Sequence, residues 1–305
     1  MFFDFQKKIL NWYKKNGRHD LPWRKKVNQT AYRILVSELM LQQTQVDRVI
    51  SKYTVFLKRF PTARALANAK VVDVLREWQG LGYNRRALYL QRACQVVQKE
   101  YGGRFPRTVY ELEKLPGVGP YTARAVSVFA FNNSEVLIET NVRRVFIYFF
   151  FTVSVIARSS QATKQSRDRH VVTHFEKWMT PRDDRIVSDG ELMPLIARHL
   201  YTKNPRMWYS ALMDYGALAM DGIPNPNRKS KHYTKQSKFE GSKRYVRAHI
   251  VRYLLEHKKA SSAEILTSFD GNSYLEKYSH QIDGILNDLC RDGFIVPFRG
   301  KWQVG

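Results

Sequence analysis

The stretch Leu115-Pro-Gly-Val-Gly-Pro-Tyr-Thr-Ala123 decides how the rest of the chain is read. Runs with helical spacing flank it at 108–114 and 120–131, so it joins two helices. Its glycines allow a tight turn and close approach of another backbone. Pro120 suits the first position of the second helix, where its missing N–H would have been orphaned anyway. Free amides at Gly117, Val118 and Gly119, just before that helix, can hold a phosphate oxygen. An ordinary helix–helix turn uses the same residues, so composition must weigh the two readings.

The composition is strongly basic. Across 305 residues, 51 Lys and Arg face 27 Asp and Glu, a formal net charge of +24. Such a surplus favours a polyanionic partner, because each neutralised phosphate releases condensed counterions. A solubilising surface or anionic lipid would need the same sign. With nucleic acid as the leading partner, the phosphate reading of the turn leads too, as a contact that positions and carries no sequence information. The 17 Tyr, 17 Phe and 6 Trp add stacking surface, although most must be core.

Cys94 and Cys290 are the two cysteines. Two thiols build neither a disulfide framework nor a four-thiolate zinc or iron–sulfur site. A reducing compartment, the cytoplasm, is expected. Charge interrupts the apolar residues of Met1-Phe-Phe-Asp-Phe-Gln-Lys-Lys8 at once, unlike a signal peptide. No apolar run reaches the ~18–20 residues that span a bilayer, so no membrane partner is expected.

Helical periodicity dominates the pattern. Phe5, Ile9, Trp12 and Tyr13 form one stripe, and Leu35, Leu39, Val46, Val49 and Ile50 form another. Tyr53, Phe56, Leu57 and Phe60 continue it until Pro61. Further helices fit 63–69, 71–79, 84–101, 141–153, 168–179, 190–201 and 205–221, with a polar loop over 154–169. Strand signals are nearly absent before residue 290. The expected fold class is therefore all-α over 1–221, followed by a basic linker over 222–243 and a small α+β module over 244–305. In that module Val246, Ile250, Tyr253 and Leu254 make one helix, and Ser261-Ser-Ala-Glu264 forms a capping box for a second. Ile282, Ile285, Leu286 and Leu289 make a third, closed at Gly293. Phe294-Ile-Val-Pro-Phe298 then turns at Arg299-Gly300 into Lys301-Trp-Gln-Val304. Three helices and a hairpin describe a winged helix, a module that binds DNA or proteins.

The hairpin stretch, followed by Glu139-Thr-Asn-Val-Arg-Arg-Val145, resembles the helix-hairpin-helix core of base-excision DNA glycosylases (HhH-GPD). Trp12-Tyr13, Gly17-Arg18, Leu21-Pro-Trp-Arg24, Ser37-Glu-Leu-Met-Leu-Gln-Gln-Thr-Gln45 and Gly80-Leu-Gly-Tyr83 are similar to the opening blocks of MutY-type adenine DNA glycosylases. The match covers about 5–150 and resumes at Ala211-Leu-Met-Asp-Tyr-Gly216. It implies a monomeric enzyme acting on double-stranded DNA that holds a mismatch, in the cytoplasm or on a prokaryotic nucleoid. It also assigns roles. Glu38, with Ile34, Leu35 and Leu41 around it on a helix, falls where these enzymes place the acid that protonates adenine. Such apolar walls keep a carboxyl proton available near neutrality. Pattern alone favours a glutamate at the edge of a core stripe with its head in water, and the resemblance overturns that reading.

Glu139 holds the place of the second acid, normally Asp, which faces the cationic sugar. Asn141 matches an asparagine that holds sugar or water, and a helix N-cap is its plain structural reading. Tyr121 stands where strand-cleaving relatives carry a Schiff-base lysine, and a phenol forms no imine. A monofunctional hydrolase follows from that. Gln42 and Tyr83 match residues that wedge into the duplex and probe the opposite base, or else are a solvated amide and a core tyrosine. Trp23, Arg24 and Leu41 match the adenine pocket, and Asp214 a supporting acid behind it.

The resemblance also breaks. MutY-type enzymes usually carry four cysteines after the Met-Asp segment, and Met220-Asp-Gly-Ile-Pro-Asn-Pro-Asn-Arg228 stands there instead, so no iron–sulfur cofactor is expected. Arg228, Lys229, Lys231, Lys235 and Lys238 either contact phosphates in its stead or tether the C-terminal module. That module is too short for the family's Nudix-like domain, which recognises 8-oxoguanine, so A opposite G is the safer substrate. A G·T or G·U glycosylase and a non-catalytic DNA binder are the alternatives. Gln42-Gln43, where the first group tends to be basic, and acids at both 38 and 139 argue against them.

Overall fold

The computed structural model describes residues 2–152, 186–234 and 238–305. The loop expected over 154–169 and the helix over 168–179 lie outside them. The chain divides into two compact units, one from 1–19 with 132–235 and one from 20–131 with 236–305.

In the first unit, α1 (Phe2–Asn16) packs on α11 (Pro205–Asp214), which also packs on α9 (Thr140–Ile147). α10 (Asp189–Arg198) rests on α9 as well. The core is aromatic. Phe5 sets its ring edge-on to Phe146, Phe149, Phe150 and Trp208 at 5.1–5.8 Å between centroids, the geometry favoured by ring quadrupoles. Both α9 and α11 loosen into single π-turns, over 148–152 and 215–219. The helices read over 141–153 and 205–221 thus exist but end less regularly than their pattern suggests.

In the second unit, α2 (Ala31–Leu41) is almost wholly buried and packs on α8 (Pro120–Phe131), α6 (Arg85–Glu100) and α3 (Val46–Arg59). α4 (Ala63–Ala67), α5 (Val71–Trp78) and α7 (Val109–Leu112) complete the bundle. The stripe that ran from Leu35 to Ile50 is broken between α2 and α3, where Gln43 has φ +55°. Apolar spacing persists across the break because both helices face one core, so periodicity alone did not show it.

The C-terminal part of this unit holds α12 (Lys243–His257), β1 (Lys259–Ala260), α13 (Ser262–Thr267), α14 (Ser273–Glu276), α15 (Ile282–Arg291), β2 (Ile295–Phe298) and β3 (Lys301–Val304). The sheet order is β1-β3-β2, antiparallel throughout. Arg299 and Gly300 both have positive φ, the pair needed by a two-residue hairpin turn. The Ser261–Glu264 capping box is reciprocal, as its spacing suggests. Two residues of β1 and the short α14 carry no sequence signal strong enough to have been read. The fold is a helical body with a small C-terminal module, as the residue pattern indicates, and β1 adds a third strand to the hairpin that the pattern predicts.

Candidate active site

The helical hairpin is built as its glycines require. Gly117 has φ +75°, and a Cβ there would lie 2.4 Å from Tyr89 Cβ on α6. No L-residue fits that turn. Val118 is buried and anchors the loop, while the space a Cβ on Gly119 would enter is open at the start of α8. Tyr121 follows in the first turn of α8, half-buried.

Glu38 lies in α2 within a buried run from Ile34 to Met40 and is 9% exposed. It is not the half-solvated edge residue of the plain structural reading. Trp23, in a 3-10 turn over Pro22–Arg24, is buried with its ring edge-on to Tyr53 at 5.6 Å. Arg24 and Leu41 are half-buried.

α2 ends at Gln42, which leaves the helix as its C-cap with ψ 112°. Its backbone N–H still donates to the Glu38 carbonyl at 3.3 Å, one helical turn back. Its side-chain amide donates to the Thr122 hydroxyl of α8 at 3.2 Å. The orphan carbonyls of that helix end need donors, and Arg86 of α6 supplies them. Its Nη1 donates to the carbonyls of Leu39, Met40 and Gln42 at 2.6, 3.0 and 2.6 Å. Its Nη2 donates to those of Leu81 and Gly82 at 3.0 and 2.9 Å, and to Thr44 Oγ1 at 3.2 Å. Burial lowers the Arg86 pKa to about 10, which still leaves the group charged at neutral pH. One guanidinium thus ties the α2 end, with Gln42, to the Gly80–Tyr83 turn. Tyr83 itself holds φ +47°, a strained conformation for a bulky residue.

In the first unit, Glu139 is the N-cap of α9. Its Oε1 accepts the amides of Asn141 and Val142, both at 2.8 Å, and its Oε2 accepts Asn141 Nδ2 at 3.3 Å. The cap read for Asn141 therefore belongs to Glu139. Its extra methylene lets the carboxylate fold back over the helix start. Burial raises the Glu139 pKa above the ordinary glutamate value, opposed by these amides and by Arg143.

Asp214 is fully buried and receives the Arg18 amide at 2.8 Å and Arg18 Nε and Nη2 at 2.8 and 2.6 Å. It binds the Gly17-Arg18 block to the end of α11. Gly216 comes next. A Cβ there would lie 2.6 Å from the Asn141 carbonyl oxygen and 2.7 Å from Asn141 Cβ. The Ala211–Gly216 block thus presses its backbone directly against the residue beside Glu139.

The segment read as a tether is partly folded. Arg144 donates to the carbonyls of Gly216 and Met220 at 2.9 and 2.6 Å. Asn227 is buried and donates to the Thr140 carbonyl at 3.0 Å, and Ser230 bridges to Val187. Arg228 and Lys229 sit on this ordered piece, whereas Lys235 lies outside the described residues. An iron–sulfur cluster does not fit here. Cys94 is buried in α6 with its thiol pushed up to about 12, Cys290 is on α15, and 216–230 contains no thiol. Among the described residues no cluster of three or more His, Cys, Asp or Glu side chains is arranged to hold a metal.

A family model described as HhH-GPD superfamily base excision DNA repair protein matches residues 36–197. The chain belongs to this superfamily. The adenine DNA glycosylase of Mycolicibacterium smegmatis is 49% identical over 220 residues, covering 69% of this chain and 71% of that protein. The adenine DNA glycosylase of Rattus norvegicus is 44% identical over 148 residues, 46% of this chain and 28% of that one. One from Buchnera aphidicola (strain APS) is 39% identical over 146 residues, 48% and 41%. The match therefore spans less than half the length of the last two. Among solved structures, a thermostable thymine-DNA glycosylase superposes with TM-score 0.55 at 25% identity, covering 71% of this chain and 86% of that one. A non-covalent endonuclease III–DNA complex gives 0.53 at 16%, covering 72% and 86%. The second likeness concerns the fold alone.

Sequence reasoning missed Arg86, Arg144 and Gly216 within this HhH-GPD chain. Arg86 had a signal, since it follows the Gly80–Tyr83 block by three residues. Arg144 lies inside the quoted Glu139–Val145 block, but nothing in its spacing says where its guanidinium goes. Gly216→Ala should force Asn141 to move and lower stability by about 1–3 kcal/mol, read as a drop in the thermal unfolding midpoint.

Proposed function

We propose that this protein is a monofunctional DNA glycosylase that removes adenine mispaired with G or 8-oxoguanine and leaves an abasic site in base-excision repair. The observation that carries this reading is the 49% identity to an adenine DNA glycosylase over most of both chains. Support comes from Glu38, an acidic side chain buried in the apolar helix where the resemblance calls for the proton donor. DNA is the partner, and the net charge of +24 suits it. No helix among the described residues is long and apolar enough to cross a membrane. We place the enzyme in the cytoplasm, acting as a monomer on mismatched duplex.

In this mechanism the duplex is gripped at the Gly117–Gly119 loop, through amides that meet a phosphate. Gln42 and Tyr83 enter the stack as adenine leaves it, a step that costs a few kcal/mol and least at a mismatch. The purine enters the pocket of Trp23, Arg24 and Leu41. Glu38 then gives its proton to the adenine ring, which turns a poor leaving group into a neutral one. As the glycosidic bond breaks, the Glu139 carboxylate stabilises the cation forming on the sugar, and Asn141 helps hold the attacking water. Asp214 supports this from behind through Arg18. Tyr121 offers no amine, so the strand stays intact. Four thiolates are missing, so no cluster takes part, and the folded 225–230 segment braces α9 by protein contacts.

Single-turnover cleavage of A·G, A·8-oxoG, G·T and G·U duplexes, followed by alkali, tests the reading. Strand breaks should appear at adenine and only after alkali. Cleavage confined to G·T or G·U would establish the thymine or uracil alternative instead. Glu38→Gln should lose at least ~100-fold in rate while still binding the A·G duplex, and a wild-type rate would reject Glu38 as the acid.

The reaction needs Glu139 as an anion, and burial raises its pKa. Excision should therefore fall as pH drops through a value above the ordinary glutamate range. The single-turnover rate measured against pH checks this, and an acid limb at or below that range would contradict it.

A further inference from the structure

The residue that faces Tyr83 comes from the C-terminal module. Arg244, near the start of α12, donates through Nη1 to the Tyr83 hydroxyl, and its guanidinium lies 5.0 Å from the centre of the Tyr83 ring. Arg86 lies 5.5 Å from the same ring. Tyr83 is thus held by two guanidinium groups, one from the helical body and one from the module. Cation–ring contacts of this kind fix a ring's plane as well as its place.

The pair borders an open cleft of about 780 Å³. Gln42 and Gln43 line it from the end of α2, and Lys243 and Arg247 line it from α12. Tyr83 is therefore half-buried beside solvent, not sealed in a core. Gln43 and Tyr83 are two of the residues other than glycine with positive φ, and both line this cleft. Strain of that sort persists only where the surroundings enforce it. The module is fixed in place for this task. Asp292, just after α15, receives Arg85 at 2.6 Å from α6 and also Arg247, while its carbonyl receives Arg92 at 2.9 Å.

We propose that Arg244 is a positioning residue through which the C-terminal module holds Tyr83 ready to enter the duplex, so that the module takes part in opening the mismatch. The inference rests on the reading of Tyr83 as a wedge under the proposed function. A wedge matters only while adenine is still stacked and paired. Arg244 should accordingly matter for adenine opposite G and matter less for adenine whose partner is missing. A residue that only stabilises the fold would affect both substrates alike.

The test compares single-turnover excision from an A·G duplex with excision from a duplex in which the adenine faces a tetrahydrofuran abasic analogue. For Arg244→Ala the ratio of the first rate to the second should fall about tenfold relative to wild type, the scale of a lost charged hydrogen bond. Arg244→Lys, which keeps the charge without the planar fork, should lie between the two. In Tyr83→Phe the same Arg244→Ala change should have a smaller effect, because the hydroxyl it serves is gone. An unchanged ratio, or equal losses on both substrates, would overturn the proposal. A wild-type protein inactive on both would instead refute the adenine glycosylase reading itself.

Discussion

A single buried guanidinium holds the C-terminal end of α2 in place. Helix ends leave carbonyls without donors, and an end inside a protein must find them or lose stability. Arg86 provides five backbone hydrogen bonds within 3.0 Å to two separate segments. Its planar fork is what allows one side chain to serve both. Glu38 lies one turn before this clamp, and Gln42 and Tyr83 lie at its two edges. The strained backbone at Gln43 and Tyr83 becomes affordable because the clamp over-determines it. The module adds a second guanidinium to the same tyrosine, so the turn is fixed from two sides.

Glu139 shows how a glutamate can cap a helix where the resemblance calls for aspartate. Asp is a natural helix N-cap because its short side chain reaches the amides of the first turn. Glu139 caps α9 as well, with the added methylene absorbed in the backward bend of the side chain. The carboxylate therefore remains at the positive end of a helix, which favours the anion that burial alone would suppress. Gly216 and Arg144 press and tie the neighbouring backbone against this cap. A proline-rich turn seated by Asn227 follows that segment.

Much of this was legible in the sequence, for physical reasons that differ by element. Gly117 could be read because only glycine satisfies its turn, and the Arg299–Gly300 hairpin because its turn needs two positive φ values. Glu38 could be placed among apolar neighbours because helical spacing puts Ile34 and Leu35 beside it. Other features escaped because spacing says nothing about partners distant in the chain. The Arg86 bonds join residues 39–44 to 81–86, and Arg244 reaches Tyr83 across 161 residues. The break at Gln43 was hidden because apolar residues continue on both sides of it. The cap at Glu139 was assigned to Asn141 because glutamate is rarely a cap, and spacing does not show that its side chain folds onto the Asn141 and Val142 amides.

The most direct measurement is adenine excision by Arg86→Lys under single-turnover conditions, at a temperature where circular dichroism shows the variant folded. Lysine keeps the charge but cannot reach two sets of carbonyls at once. The α2 end and the Tyr83 turn should drift apart by about 1 Å, and the rate on an A·G duplex should fall roughly 100-fold. A folded variant that excises adenine at the wild-type rate would contradict the account.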